Sequence, residues 1–380
     1  MCLFQYFYLF LEAEIMKSLY TILTLLLCSS VNSIYAQTTL EQVQHMQSTP
    51  KHYGVLRTST PIQIDGKADE DSWQQAAWTD SFIDIEGKHR PHPTYDTKVK
   101  MLWDDEYLYL YAQLEEPHVW GNLTERDTII YHNNDFEVFL KPFNNSPLYY
   151  EIEINPLNTV MDLLMPNPYR LGGDALMHWD VKDLKTAVHI EGTLNNPNDT
   201  DRYWTVEMAI PFRSLSTYSR RATPKVDDYW QINFSRVQWQ HNIIDGRYSR
   251  KKQEGKLLHE DNWVWSAIGI INMHFPERWG YIQFLNNQKE STFPVHYLIE
   301  KNAWNIFYLQ QLYRKSNAHY ANSLEDLNSI TNILPVANER WSYSFLTNTE
   351  NSLYQVEVHD KSQGLRATID NYGNYMLHGR

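Results

Sequence analysis

The chain has 380 residues, 42% hydrophobic and 21% charged, with a mean hydropathy of −0.54 and a formal net charge of −13. It is long enough to bury a substantial core. Its acidity argues against nucleic acid or an anionic membrane surface as partner, because neither phosphate contacts nor a polybasic patch is supplied.

The only cysteines are Cys2 and Cys28, so the folded part is expected to hold no disulfide and no thiolate metal site. Met16-Lys17, the apolar run LYTILTLLL and the exit at Ile34-Tyr35-Ala36 have the layout of a secretory signal. Cleavage after Ala36, with Met16 as the start, predicts a secreted, periplasmic or surface protein without stable membrane insertion. A lipoprotein anchor at Cys28 is the less favoured alternative, since Leu27 occupies the place of a small residue. Residues 37–54 read as a linker.

In PIQIDGKADEDSWQQAAW, residues 61–78, Ile62 and Ile64 predict a strand, Asp65-Gly66 a turn, and Asp69 the cap of a short helix that carries Trp73, Ala76 and Trp78 inward. VKMLWDDEYLYLYAQLEE reads as a hairpin in which Leu108, Leu110 and Ala112 alternate with Tyr107, Tyr109 and Tyr111. A second hairpin, YHNNDFEVFLKPFNNSPLYYEIEIN, runs from Tyr131 to Asn155. Phe136, Val138 and Leu140 fall on one face with Ile152 and Ile154, while Asp135, Glu137, Glu151 and Glu153 share the other. Pairing Leu140 with Leu148 sets Glu137 opposite Glu151 and Asp135 opposite Glu153. Like charges so placed need an outside partner: an arginine, a cation, or the hydroxyls of a ligand. The alternative is a solvated acidic face.

The Gly/Pro loop after Met165 carries Tyr169, Arg170, His178 and Trp179 as a possible ligand rim. LKTAVHIEG and YWTVEMAIP predict an antiparallel pair, DYWQINFSRVQW a long strand, residues 247–256 a basic loop, and DNWVWSAIG and RWGYIQF the last strands of this unit. About ten short strands between polar turns predict an all-β, two-layer β-sandwich over residues 55–288. From residue 290 to 380 the pattern changes. Leu298, Trp304, Ile306, Phe307, Leu309, Leu312 and Tyr313 recur at helical spacing, ANSLEDL follows as a short helix, and a small meander completes an α+β appendage.

There is no P-loop, GxGxxG, GxSxG or HExxH motif, and the 15 histidines show no ligand spacing. The ordered set IDGKADEDSW, LWDDEYLYLYAQ, NDFEVFLKP, YYEIEIN, WTVEMAIPF and NWVWS followed by RWGYIQF resembles the family 9 carbohydrate-binding modules, the sugar-binding branch of the DOMON-like sandwiches. Within that branch it looks like the stand-alone secreted proteins found in Bacteroidetes. The resemblance implies a β-sandwich that holds a terminal sugar between two aromatic rings, often with structural calcium. It places Tyr131 where the family usually has a tryptophan, Glu137 as the sugar-binding acid and Trp265 as the second ring. Glu153 stands where an arginine is expected.

The residues suit that chemistry in their own right. The C–H face of a pyranose packs on aromatic rings, and its hydroxyls ask for carboxylate acceptors and amide or guanidinium donors. Tyr131 and Trp265 are candidates for the faces, Asn134, Asp135 and Glu137 for the acceptors, and Arg170, Arg236 and Trp239 for the rim. The leading expectation is a carbohydrate-binding protein that supports polysaccharide capture or breakdown without turnover of its own. Two others stay open: a glycoside hydrolase using two of the paired carboxylates, and a haem-binding DOMON-type redox module with Met161, Met165 and His178 as conceivable ligands.

Overall fold

A computed structural model describes residues 38–379, and the signal segment and Cys28 lie outside them. Thr39–Arg380 forms one compact unit. After a short helix α1 (Leu40–His45) come β1 (His52–Arg57), helix α2 (Asp71–Gln75), β2 (Ile83–Asp84), β3 (Thr97–Trp103), β4 (Tyr107–Glu115), β5 (Asp135–Lys141), β6 (Tyr149–Ile154) and β7 (Val160–Met165). Then follow β8 (Lys185–Glu191), β9 (Tyr203–Pro211) and β10 (Tyr229–Gln238). Two small ribbons come next, β11 (His241–Ile244) with β12 (Arg247–Arg250) and β13 (Lys252–Gln253) with β14 (Lys256–Leu257), ahead of β15 (Asp261–Val264) and β16 (Gly280–Leu285).

The main sheet runs β7-β6-β5-β10-β16-β1-β3-β4-β9-β8, with β15 and β2 joined at the far end of β10. Only β1 pairs in parallel, with β16 and β3. The sheet curls so that its two halves face each other. Phe136 and Val138 of β5, Ile152 of β6 and Phe234 of β10 share one core with Leu108 and Leu110 of β4 and Val206 and Met208 of β9. The expected all-β sandwich is therefore present.

The remainder is α3 (Tyr297–Asn317), α4 (Leu324–Asn328) and an antiparallel sheet of β17 (Trp341–Thr347), β18 (Tyr354–Asp360), β19 (Leu365–Asp370) and β20 (Met376–His378). This α+β part lies on the outer face of the sandwich. Phe139, Tyr149, Met161 and Leu163 join Ile299, Ile306 and Leu309 of α3 and Val356 and Ile369 of its sheet in a second core. Strands β5 and β6 are thus buried on both faces.

Local differences have physical causes. Ile62 and Ile64 form no strand, because side chains take the backbone donors: Glu70 accepts from Gln63 N (2.8 Å), and Glu207 from Asp65 N and Gly66 N (2.9 Å each). The cap of α2 is Glu70 rather than Asp69, and Trp78 is exposed under the Lys100 ammonium while Trp73 is buried. Tyr109 and Tyr111 pack beneath Trp73 and Ala76. The expected basic loop is built from the two ribbons, whose turns Asp245-Gly246 and Glu254-Gly255 are each left-handed at both residues. That is the geometry two-residue hairpins favour.

The β5–β6 register is two residues away from expectation. Leu140 pairs with Tyr150, and Glu137 faces Glu153. Pro142 and Pro147 donate no N–H, so the ladder closes only at Lys141 and Tyr149 and leaves a longer turn. A shift of two keeps every side chain on its face.

Helix α3 turns Ile306 into the second core and leaves Leu298 41% exposed, although both fit the same apolar pattern. Ile306→Ala is expected to cost about 2–5 kcal/mol in urea unfolding of the full chain, and Leu298→Ala less than about 0.5 kcal/mol.

Candidate functional site

A pocket of about 440 Å³ opens on the outer face of β5, β6 and β7. Its floor is Glu137, Phe139, Glu151, Glu153, Met161 and Leu163, all carried outward by strand alternation. Ile129 and Tyr131 form one wall, Tyr169 and Met177 another, and Asn262 with residues 271–274 a third.

The acidic strip is not a solvated face. Asp135 is completely buried and Glu137 is 6% exposed, with Glu151 and Glu153 equally enclosed. Burial pushes the Glu137 carboxyl up to about 7. Burial, and then the neighbouring Glu137, pushes Glu151 up to about 8. Asp135 and Glu153 are raised well above their ordinary values, first by burial and then by the charge of Glu137. Few donors reach these groups: Tyr131 N reaches Glu153 (3.1 Å) and Val237 N reaches Asp135 (3.3 Å). Asp135 Oδ2 and Glu151 Oε2 are buried without a partner.

The part of the lining formed by Tyr169 and His274 is held from behind. The His274 ring bonds the Tyr149 hydroxyl (2.7 Å) and meets Tyr169 edge-on at 4.5 Å. Arg170 donates to the His274 carbonyl and to Glu277, each at 2.7 Å, and stacks on Phe275. Tyr308 of α3 donates to the same Glu277 oxygen. Burial, assisted by Arg170, lowers the His274 imidazole to about 4, so it is neutral near pH 7.

The structure brings together only some of the expected site residues. Tyr131, 40% exposed, and Glu137 both line the pocket, and Asp135 adjoins it beneath Glu137. Trp265 is 2% exposed and packs on Phe234 and the bare backbone of Gly280 in the inter-sheet core, so it offers no face to a sugar. Arg236 is another correction. It shares the inward parity of Ile232 and Phe234 and is consumed by Glu116 (3.1 Å), Gln238 and Thr97.

Asn134 bridges Glu116 and the Trp239 backbone, and the Trp239 indole donates to the Tyr131 carbonyl (2.7 Å). Both are buried supports of the Tyr131 loop and not a rim. Arg170 likewise acts behind the wall. Of Met161, Met165 and His178, only Met161 lines the pocket. Sequence reasoning placed Tyr169 on a ligand rim without making it a site residue, and it missed Asn272 and His274, which come from a loop with no periodic signal.

Among the described residues, two acid groups have oxygens close enough to share a metal, within 4.8 Å of one another: Asp127, Asp162 and Asp180, and Asp135, Glu137 and Glu153. In the first, Arg126 already bonds Asp162 and Asp180 and lies 3.7 Å from Asp127. No such cation serves the second.

The curled β-sandwich thus carries on one sheet a pocket with Tyr131 and Tyr169 in its lining. Residues 64–226 match the family model described as carbohydrate family 9 binding domain-like, which bears out the resemblance read from the residues over that stretch. Among solved structures, a Bacteroides uniformis protein proposed to bind carbohydrate aligns at 15% identity over 62% of this chain and 100% of its own, with a TM-score of 0.46. A family 9 module from Caldicellulosiruptor kristjanssonii in complex with cellotriose aligns at 18% identity over 64% of this chain and 99% of its own, TM-score 0.37. A family 9 module from the same organism in complex with glucose aligns at 17% identity over 64% of this chain and 100% of its own, TM-score 0.37. No curated protein matches the chain.

The acid strip gives a pH signature. Each raised carboxyl binds its proton more tightly in the folded chain than in the unfolded one, whose glutamates titrate near 4.5. The contribution is therefore fully present below that value and is lost as pH rises through about 7 and about 8. With a chelator present, the melting temperature is expected to fall between about pH 5 and about pH 8, and the Glu137→Gln, Glu151→Gln double variant to flatten the fall. An unchanged slope in thermal denaturation would contradict this.

Proposed function

We propose that this is a secreted carbohydrate-binding protein that seats one sugar unit of a glycan in the pocket between Tyr131 and Tyr169 and so supports polysaccharide capture. The observation that carries the reading is an open pocket with tyrosine rings on its walls and buried carboxylates at its floor, set on a family 9-like sandwich. The rings supply surfaces for the C–H face of a pyranose, and Glu137, Glu151 and Glu153 supply acceptors for its hydroxyls. The walls are mostly apolar with a few convergent polar groups, the usual make-up of a small-ligand site. Secretion is supported by residues 16–36. Among the described residues no helix is long and apolar enough to cross a membrane.

Glycosidase chemistry uses similar groups but needs two carboxyls of unequal acidity, one protonated and one ionised. Here burial raises all four together, which supports holding over hydrolysis. Sugar release from a polysaccharide panel, abolished by Glu137→Gln, would assign turnover instead.

Affinity electrophoresis or calorimetry against a glycan panel tests the binding. Tyr131→Ala and Tyr169→Ala are each expected to weaken it at least about tenfold, roughly 1.4 kcal/mol, while Trp265→Phe leaves it unchanged. Full affinity in both tyrosine variants would place the sugar elsewhere.

A further inference from the structure

The pocket lining holds four glutamates, Glu137, Glu151, Glu153 and Glu260, and neither lysine nor arginine. Arg170, behind the His274 wall, is committed to Glu277 and the His274 carbonyl. Two carboxylate oxygens, Asp135 Oδ2 and Glu151 Oε2, are buried with no donor at all. Glu151 lines the pocket, so its bare oxygen belongs to the same enclosed floor. One oxygen each from Asp135, Glu137 and Glu153 lie within 4.8 Å of one another. Calcium–oxygen bonds of about 2.3–2.6 Å let two ligands of one ion stand up to about 5 Å apart.

We propose that Asp135, Glu137 and Glu153 bind a divalent cation of the calcium type at the floor of the pocket, and that hydroxyls of the bound sugar complete its coordination. Asp135 and Glu137 come from alternate positions of one strand, and Glu153 stands opposite Glu137 on the next. The three therefore converge on one side of a rigid ladder and leave the pocket side free. The donors are all hard oxygens, which suits calcium or magnesium over softer metals. Magnesium retains most of its water shell, whereas calcium accepts six to eight oxygens in irregular geometry. Phe139, Met161 and Leu163 beside the acids offer a retained water no hydrogen-bond partner. Shared protons are the competing way to neutralise the acids. A proton serves one pair of oxygens and leaves the others bare, whereas one ion engages all three residues.

The sugar half of this proposal rests on the carbohydrate reading above, and the ion half stands without it. The full chain, dialysed against EDTA at about pH 7.5, is titrated with calcium chloride by calorimetry and followed by thermal unfolding, without sugar. One-site uptake and a rise of several degrees in melting temperature are expected, with magnesium much weaker. Glu153→Gln and Asp135→Asn are expected to weaken uptake at least tenfold, and Asp180→Asn, in the other acid group, to leave it unchanged. Circular dichroism checks that the variants fold. No uptake by the native chain overturns the proposal regardless of the variants, and so does undiminished uptake by folded Glu153→Gln.

Glycan binding is then compared in calcium and in EDTA. A tenfold or greater loss in EDTA supports the coordination of sugar hydroxyls, and equal binding overturns it. Calcium uptake with no glycan bound under either condition overturns the carbohydrate reading while upholding the ion site.

Discussion

Four like-charged side chains taken out of water on one strip of sheet are the constraint around which this molecule is arranged. Removing a carboxylate from water costs several kcal/mol unless something replaces its hydration, and Asp135, Glu137, Glu151 and Glu153 lie side by side with backbone donors for only two of them. The other buried acids among the described residues each have at least one oxygen answered. Glu116 has Arg236, Glu277 has Arg170 and Tyr308, and Glu207 has two backbone amides and the Trp73 indole. The exception coincides with an open pocket. Perturbed acids in a cleft mark functional sites more often than structural ones.

The strip is enclosed because the same two strands serve two cores. On one face Phe136, Val138 and Ile152 fill the sandwich, and on the other Phe139 and Tyr149 meet helix α3 and the sheet behind it. The α+β part is thus a second layer on the sandwich and the anchor of the pocket wall. Contact passes from Tyr308 to Glu277, to Arg170, to His274 and so to Tyr169. Each link is a buried or half-buried polar or aromatic contact. A wall fixed in this way pre-organises the site, and less ordering is left for binding to accomplish.

Recognition of a neutral, hydroxyl-rich ligand needs flat apolar surface and acceptors together. Tyrosine suits such a wall because its ring is apolar while its hydroxyl stays in contact with water. Tyr131 is well placed for this because its loop is pinned at the main chain, by its own amide to Glu153 and by the Trp239 indole to its carbonyl. Tyr131 stays exposed, with its ring edge-on to His132 at 4.9 Å.

Much of this was legible in the amino-acid order. Alternation in LWDDEYLYLYAQ and NDFEVFLKP defined hairpins and sorted their faces, three- and four-residue spacing defined α3, and the acids fell on one strip with Tyr131 just ahead of it. Parity alone also places Arg236 on the inward face with Phe234, so that error was avoidable. The sequence could not say that the acid face would be enclosed, because Asn262 and residues 271–274, which close over it, lie far beyond it in the chain. Nor could it separate Trp265, sunk against Gly280, from Tyr169, raised beside His274. A period of two is set by the local backbone and fixes which side chains share a face. Whether that face meets water, another layer or a pocket is decided by contacts between distant segments, and these alone turned a charged strip into an enclosed floor.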